Sequence, residues 1–328
     1  MTDITFHAYK GEWGLASMDL ECLQTLTFLR FLDVPVNMNT RGNTLFAPNG
    51  SLPYINDGSH KVDGYKKIIK YCQEKGFDVN RGLKGEDKAL STAYIQHTKS
   101  KLHSYLVYTM WGTKESAEAT RFLYAKRSPF PLSFYKPGQY LKQAEKYLEV
   151  QCGISIKDGA PPEEHLTRQL ILDAKKFVNE ISAQLGDREW FFGGTPSEFD
   201  GILYSYLALL LHYPLNFNPL AGHIRECRNL VDFVGRITKK YFEGLTFDSG
   251  EKIVITSEGK TKKTKAGSGD EEESNLKLQI IAGIVALVSM VAFSLSVGIV
   301  EISRDSISPE AVEFLDEDED DDDGDYAE

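Results

Sequence analysis

Along this chain the spacing of apolar and polar positions changes period once, and the change divides it. Ile4 to Ala8 alternates apolar and polar residues, which predicts a short strand. A Gly-containing loop, Lys10 to Ala16, comes next. Leu20, Leu23 and Leu26 then form a helical stripe, with Ser17 as its cap and Asp19 and Glu21 in the first turn, where the helix dipole favours acids. Val34 to Met38 predicts a second strand and Leu52 to Ile55 a third, although Pro53 is awkward in a central strand. Asn56-Asp57-Gly58 reads as a turn into a fourth strand around Lys61-Val62. Asp63 opens a helix to about Glu74, closed by Gly76. The predicted order is β-α-β-β-β-α.

After residue 83 the period is helical throughout. Helices are predicted over 85–112, 115–126, 138–150, 163–185, 198–213 and 222–243. In 163–185 the residues Leu166, Leu170, Ala174, Phe177, Ile181 and Leu185 recur every three or four positions. The segment 198–213 is apolar nearly all round, too short to span a membrane, and begins with Ser197 and Asp200 at capping-box spacing, which predicts a helix buried inside the domain. On 222–243 the stripe is Ile224, Cys227, Leu230, Val234, Ile237 and Tyr241. The pattern divides the chain into an α+β domain (1–82), an all-α domain (83–245), a linker (246–279), an apolar segment (280–300) and a tail (301–328).

The apolar segment runs for 21 residues, Ile280 to Val300, without a charge. As a helix it is about 31 Å long, the thickness of a bilayer's hydrocarbon core. Twelve of the 21 are Leu, Ile, Val or Phe, contributing on the order of −4 to −7 kcal/mol to insertion. Its position near the C-terminus predicts a tail anchor. Lys260, Lys262, Lys263, Lys265 and Lys277 precede it, so the folded body is expected on the cytosolic side. The linker is rich in Lys, Gly, Ser, Thr and Glu, and the tail ends in an acidic run, Asp316 to Asp323; both read as segments that stay solvated.

Charge is unevenly placed. The 328 residues carry −11, and the tail from Glu301 carries 14 acids and one base, a net of −13, so subtraction leaves about +2 for everything before it. There is no basic domain or stripe, which argues against a nucleic-acid partner. Cys22, Cys72, Cys152 and Cys227 form no C-x-x-C pair and suit a reducing compartment. The start, MTDITFHAY, has neither the basic and apolar regions of a secretory signal nor an Arg-rich presequence. His97 and His103, six apart, are poorly spaced for two ligands on one helix face, and Gly193-Gly194 lacks the Lys of a phosphate loop. No metal site and no cofactor is predicted.

A β-α-β-β-β-α unit ahead of an all-helical half resembles the glutathione transferase superfamily: a thioredoxin-like N-terminal domain and an all-α C-terminal domain, here with one transmembrane helix added. Pro53 stands where that family places a cis-proline, and Ser197-x-x-Asp200 resembles its capping box at the central helix. Gly11-x-Trp13-Gly14-Leu15, Ser17-x-Asp19-Leu20, Leu52-Pro53, Phe130-Pro131-Leu132-Ser133-Phe134 with Pro137-Gly138, Phe191-Phe192-Gly193, and Ser205 to Leu211 resemble the metaxins more closely, and the anchor suits their tail-anchored branch.

That resemblance implies a mitochondrial outer-membrane protein whose body faces the cytosol. The partners it implies are a second metaxin and the β-barrel assembly subunit of the sorting and assembly machinery. It further implies links to the cristae-organising complex and to mitochondrial transport adaptors, with lipid contact through Ile280–Val300. A tail-anchored adaptor for mitochondrial transport or morphology is an alternative, and a membrane-tethered glutathione-dependent transferase another. A transferase needs a hydroxyl or thiol near the first helix, for which Tyr9 and Ser17 are the candidates, and an acid followed by Ser, for which Asp63 and Gly64 stand; Gly64 lacks the hydroxyl but keeps its N–H. The expectation is a non-catalytic interaction module with no catalytic residue.

Overall fold

Four short strands build one mixed sheet in the order β2-β1-β3-β4. The computed structural model describes residues 4–58, 60–156, 163–214 and 218–243. Strand β1 (Ile4–His7) runs parallel to β2 (Val36–Asn39) and antiparallel to β3 (Tyr54–Asp57), which pairs antiparallel with β4 (His60–Asp63). The register sets Phe6 opposite Met38 on one side and Ile55 on the other, and Ile4 and Phe6 are fully buried. Leu52-Pro53 is cis. The third strand starts at Tyr54, two residues later than the apolar run, since proline has no N–H to give to the ladder. The β-α-β-β-β-α order stands as predicted, completed by α1 (Leu20–Phe31) and α2 (Tyr65–Glu74).

Two helix starts differ from expectation. Asp19, not Ser17, caps α1: its Oδ1 accepts from the Cys22 N–H at 2.9 Å. Gly64, not Asp63, precedes α2, at φ 75°, a conformation that favours glycine.

The helical half begins with α3 (Gly85–Thr98), which passes through a π-helical turn, Lys99–His103, into α4 (Ser104–Trp111). Then come α5 (Lys114–Arg127), α6 (Leu132–Cys152), α7 (Glu164–Leu185), α8 (Glu198–His212), α9 (Pro219–Glu226) and α10 (Arg228–Phe242). Helix α6 starts six residues before the predicted 138, with Pro137 inside it. The predicted helix 222–243 is two, broken at Cys227, whose ψ of 80° is not helical. The all-apolar α8 is the hub: it packs on α1, α3, α9 and α10, and every residue from Phe199 to Leu210 is buried. Its capping box closes as the spacing predicts, with Ser197 N–H donating to Asp200 Oδ2 at 2.8 Å. Gly201 lets α1 approach: a Cβ there would meet Phe31 at 3.3 Å and Thr27 at 3.4 Å.

These residues fall in one compact unit, Met1–Ser257. Among them no helix is long and apolar enough to cross a membrane. The predicted linker, span and tail lie outside the described residues, apart from which the end of the helical half is Phe242.

Candidate functional site

The predicted hydroxyl candidates Tyr9 and Ser17 lie in the loop from β1 to α1, whose side chains are engaged with one another. Tyr9 is buried, and its hydroxyl pairs with the Tyr140 hydroxyl at 2.8 Å. Burial, then the neighbouring Tyr140, hold the Tyr9 phenol far above its ordinary range, so it stays protonated. Ser17 is fully buried and donates to the Tyr9 carbonyl at 2.9 Å while accepting from the Asp19 N–H at 3.3 Å. Neither lines an open cleft. Asp19 takes the Cys22 N–H and, through Oδ2, the Tyr124 hydroxyl at 2.9 Å. The N-terminus of α1 therefore carries a resident carboxylate, which opposes a thiolate arriving there. Cys22 is buried and its thiol is pushed well up by desolvation and by Asp19.

The second candidate pair is equally committed. Asp63 is buried, accepts from the Asn49 N–H at 2.8 Å and pairs with Lys67 at 2.7 Å. The Gly64 N–H, which the sequence left free, donates to the Pro53 carbonyl at 2.9 Å. The next N–H, Tyr65, donates to Glu21 Oε1 at 2.8 Å. A side chain of α1 thus occupies the start of α2, the natural seat for a ligand carboxylate. Desolvation raises the Glu21 pKa against the pull of that hydrogen bond, and Asp19 and Asp63 raise it further.

Between the sheet-bearing part and the helices lies an open cleft of about 660 Å³. Leu20, Glu21, Asp63 and Tyr65 form one wall, and Lys99, His103, Tyr147 and Tyr206 the other. Among the described residues no three His, Cys, Asp or Glu gather at metal-binding distance.

A second surface is apolar. Phe134 is 77% exposed, and Phe122 and Phe130 are 52% exposed. Phe130 meets Phe134 edge to face at 5.7 Å, and Phe122, Ala125, Phe134 and Pro137 line a shallow groove beside Arg121. The loop 42–50 is tied to this region: Lys136 donates to the Gly50 carbonyl at 2.6 Å, and Gly42 packs on the Arg127 carbonyl. That loop adds two more exposed apolar side chains, Leu45 and Phe46. The Phe-Pro-Leu-Ser-Phe run was legible as a motif, but its exposure was not, because α6 begins inside it and turns both phenylalanines outward.

The architecture is that of the glutathione transferases. A glutathione S-transferase of Ceriporiopsis subvermispora, solved in complex with glutathione, has this fold at a TM-score of 0.50 and 12% identity, covering 74% of this chain and 99% of that one. Residues 174–237 match the glutathione S-transferase C-terminal domain, and residues 22–141 match the family described as outer mitochondrial membrane transport complex protein. The metaxin-1 homolog of Drosophila melanogaster is 38% identical over 95% of both chains. Metaxin-1 of Mus musculus is 31% identical over 91% of both. The chain belongs to the metaxin family.

Proposed function

We propose that this protein is a non-catalytic subunit of the mitochondrial outer-membrane machinery that imports proteins and assembles β-barrels. It is tail-anchored through Ile280–Val300, with its body on the cytosolic face. The observation that carries the non-catalytic reading is the occupation of both ligand-facing helix starts by the chain's own carboxylates, Asp19 on α1 and Glu21 on α2. A superfamily fold without a free seat for a thiolate or its carboxylate is a scaffold, and a scaffold acts through its surfaces. The family description as a transport complex protein supports a role within an assembly.

The surface assigned to the partner is the aromatic one. Its occupant is the body of a second metaxin, presenting an apolar anchor with acidic groups at the rim to meet Arg121. Phe134→Ala and Phe130→Ala together should weaken complex formation by about thirtyfold, the effect of losing about 2 kcal/mol at an interface centre. Melting should stay near that of the native protein, since both rings are solvent-exposed. The measurement is co-purification with the second metaxin from mild detergent, followed by titration. A double variant that pairs normally would remove this surface from the reading. Truncation before Leu276 should release the body from membranes, and carbonate-resistant attachment of the truncated chain would refute the anchor.

A further inference from the structure

The cleft between the two parts has a chemistry that the scaffold role does not use. Its carboxylates are already spoken for: Glu21 accepts from Tyr65 N–H, and Asp63 accepts from Asn49 N–H and Lys67. Its donors are not. Gln24 is only 6% exposed, and its Nε2 is buried with at most the Tyr206 phenol to take one of its two N–H donors. His103 Nδ1 is buried and has no partner, and it is a donor in the tautomer that carries the proton there. Lys66 and Lys99 both line the cleft, close enough that Lys66, after burial, helps depress the Lys99 pKa. The nearest acids to Lys99, Glu198 and Glu21, bond Tyr65 and Asn80 instead, and no ion pair of Lys66 or Lys99 is formed among the described residues.

Buried donors without acceptors are unfavourable, and two like charges facing each other across the cleft, Lys66 on α2 and Lys99 on the π-helical turn, add to that. A site with surplus donors and committed acceptors is complementary to an anion. The backbone concurs. Lys99, Ser100 and His103 reach the cleft from the π-helical turn, a departure from α geometry that recurs at functional sites. The flat faces of Tyr147 and Tyr206, each meeting the His103 ring edge to face, offer an apolar floor. The volume of about 660 Å³ suits a small organic molecule.

We propose that this cleft binds a small organic oxyanion. Its phosphate or carboxylate group sits between Lys66 and Lys99 and takes hydrogen bonds from Gln24 Nε2 and His103, while its flat body rests on Tyr147 and Tyr206. The site is set beside the start of α2, which Glu21 fills, so the ligand is not glutathione.

The test is calorimetric titration of the full chain in mild detergent with phenyl phosphate, benzoate and glutathione. Saturable binding of phenyl phosphate or benzoate is expected, and the tighter of the two identifies the anionic group. Lys66→Gln and Lys99→Gln should each weaken that binding by about tenfold or more, the fold-change of one lost hydrogen bond to a charged group. Lys99→Arg should retain it. Lys66 is solvent-exposed, so its variant keeps the test valid if Lys99→Gln fails to fold. Three results would overturn the proposal: no saturable heat from either oxyanion, binding unchanged in the Lys66 variant, or glutathione binding more tightly than both.

Discussion

Replacing Asp200 probes the hub of the fold, and its magnitude follows from four contacts. Asp200 Oδ1 accepts from the Phe191 N–H at 3.0 Å; Oδ2 accepts from the Ser197 N–H at 2.8 Å and from the Ser197 hydroxyl at 2.5 Å. Its own N–H donates to Ser197 Oγ at 3.4 Å. The residue is fully buried. Asp200→Ala strands two buried backbone N–H groups at about 1–3 kcal/mol each, on the order of 4 kcal/mol together. At about 2–4 °C per kcal/mol for a body of this size, the melting temperature should fall by roughly 8–16 °C. The pH dependence is the sharper test. Burial raises the Asp200 pKa to about 6 against the opposing hydrogen bonds. Between its unfolded value near 3.8 and about 6 the native state therefore holds the proton more tightly, so native stability rises as pH falls through that window. Alanine lacks this term, so the loss should be larger at pH 4.5 than at pH 7, by at most about 3 kcal/mol. Urea denaturation of both proteins at the two pH values measures it. A loss larger at pH 7 would mean that the hydrogen bonds outweigh desolvation, and the reasoning would fail.

His103 should act in the opposite direction. Burial, then Lys99, lower its pKa to about 4, so below about 6.5 the unfolded chain takes up a proton that the native imidazole refuses, and stability falls with pH. His103→Gln should flatten that fall, and because Asp200 works oppositely over the same range, the variant should gain stability relative to the native protein as pH drops from 6.5 to 4.5. Parallel urea titrations of the two proteins would contradict this. Gly201→Leu should cost about 1–3 kcal/mol by driving α8 off Phe31 and Thr27. Gly201→Ala should be near neutral, its mild crowding offset by about 1 kcal/mol of helix propensity, and thermal melting separates the two.

What could be read from sequence was local, and what could not was assembled from a distance. The strand–helix order and the Ser197–Asp200 box are fixed within a few residues, so period and spacing suffice to find them. Choosing between Ser17 and Asp19 as the cap of α1 was beyond those rules: both are capping residues two positions apart, and it is the Tyr9 carbonyl and the Tyr124 hydroxyl that assign their roles. Helix α6 begins at Leu132, with Pro137 inside it, although Pro-Gly marks a break in sequence: five residues into the helix its ring falls within the first turns, where the carbonyl it would oppose lies at the helix start. The cleft was invisible. Gln24, Lys66, Lys99, His103 and Tyr206 come from α1, α2, the π-helical turn and α8, and nothing in their spacing announces that they converge. Glu21 was visible as a first-turn acid, but its bond to Tyr65, 44 positions away, was not.

The arrangement at the two helix starts suggests how an enzyme fold can serve as a binding module. In a thiol-using site the N-terminus of the first helix must be left open, so that its dipole and N–H groups stabilise a ligand's negative charge. An open helix start is also a defect in a protein with no ligand to fill it, since its N–H groups lack partners. Here Asp19 and Glu21 remove that defect, and both lie at the beginning of α1, two residues apart. One carboxylate caps its own helix, and the other reaches across to α2. On the proposed reading, the same two residues that satisfy the helix starts stand where a ligand's thiolate and carboxylate would sit. If that reading holds, glutathione binding in this fold should appear only when both are removed, since Glu21→Ala alone frees the Tyr65 N–H while Asp19 still opposes a thiolate at α1. Titration of the single and double variants with glutathione measures it, and equal binding by the native protein would refute the reading.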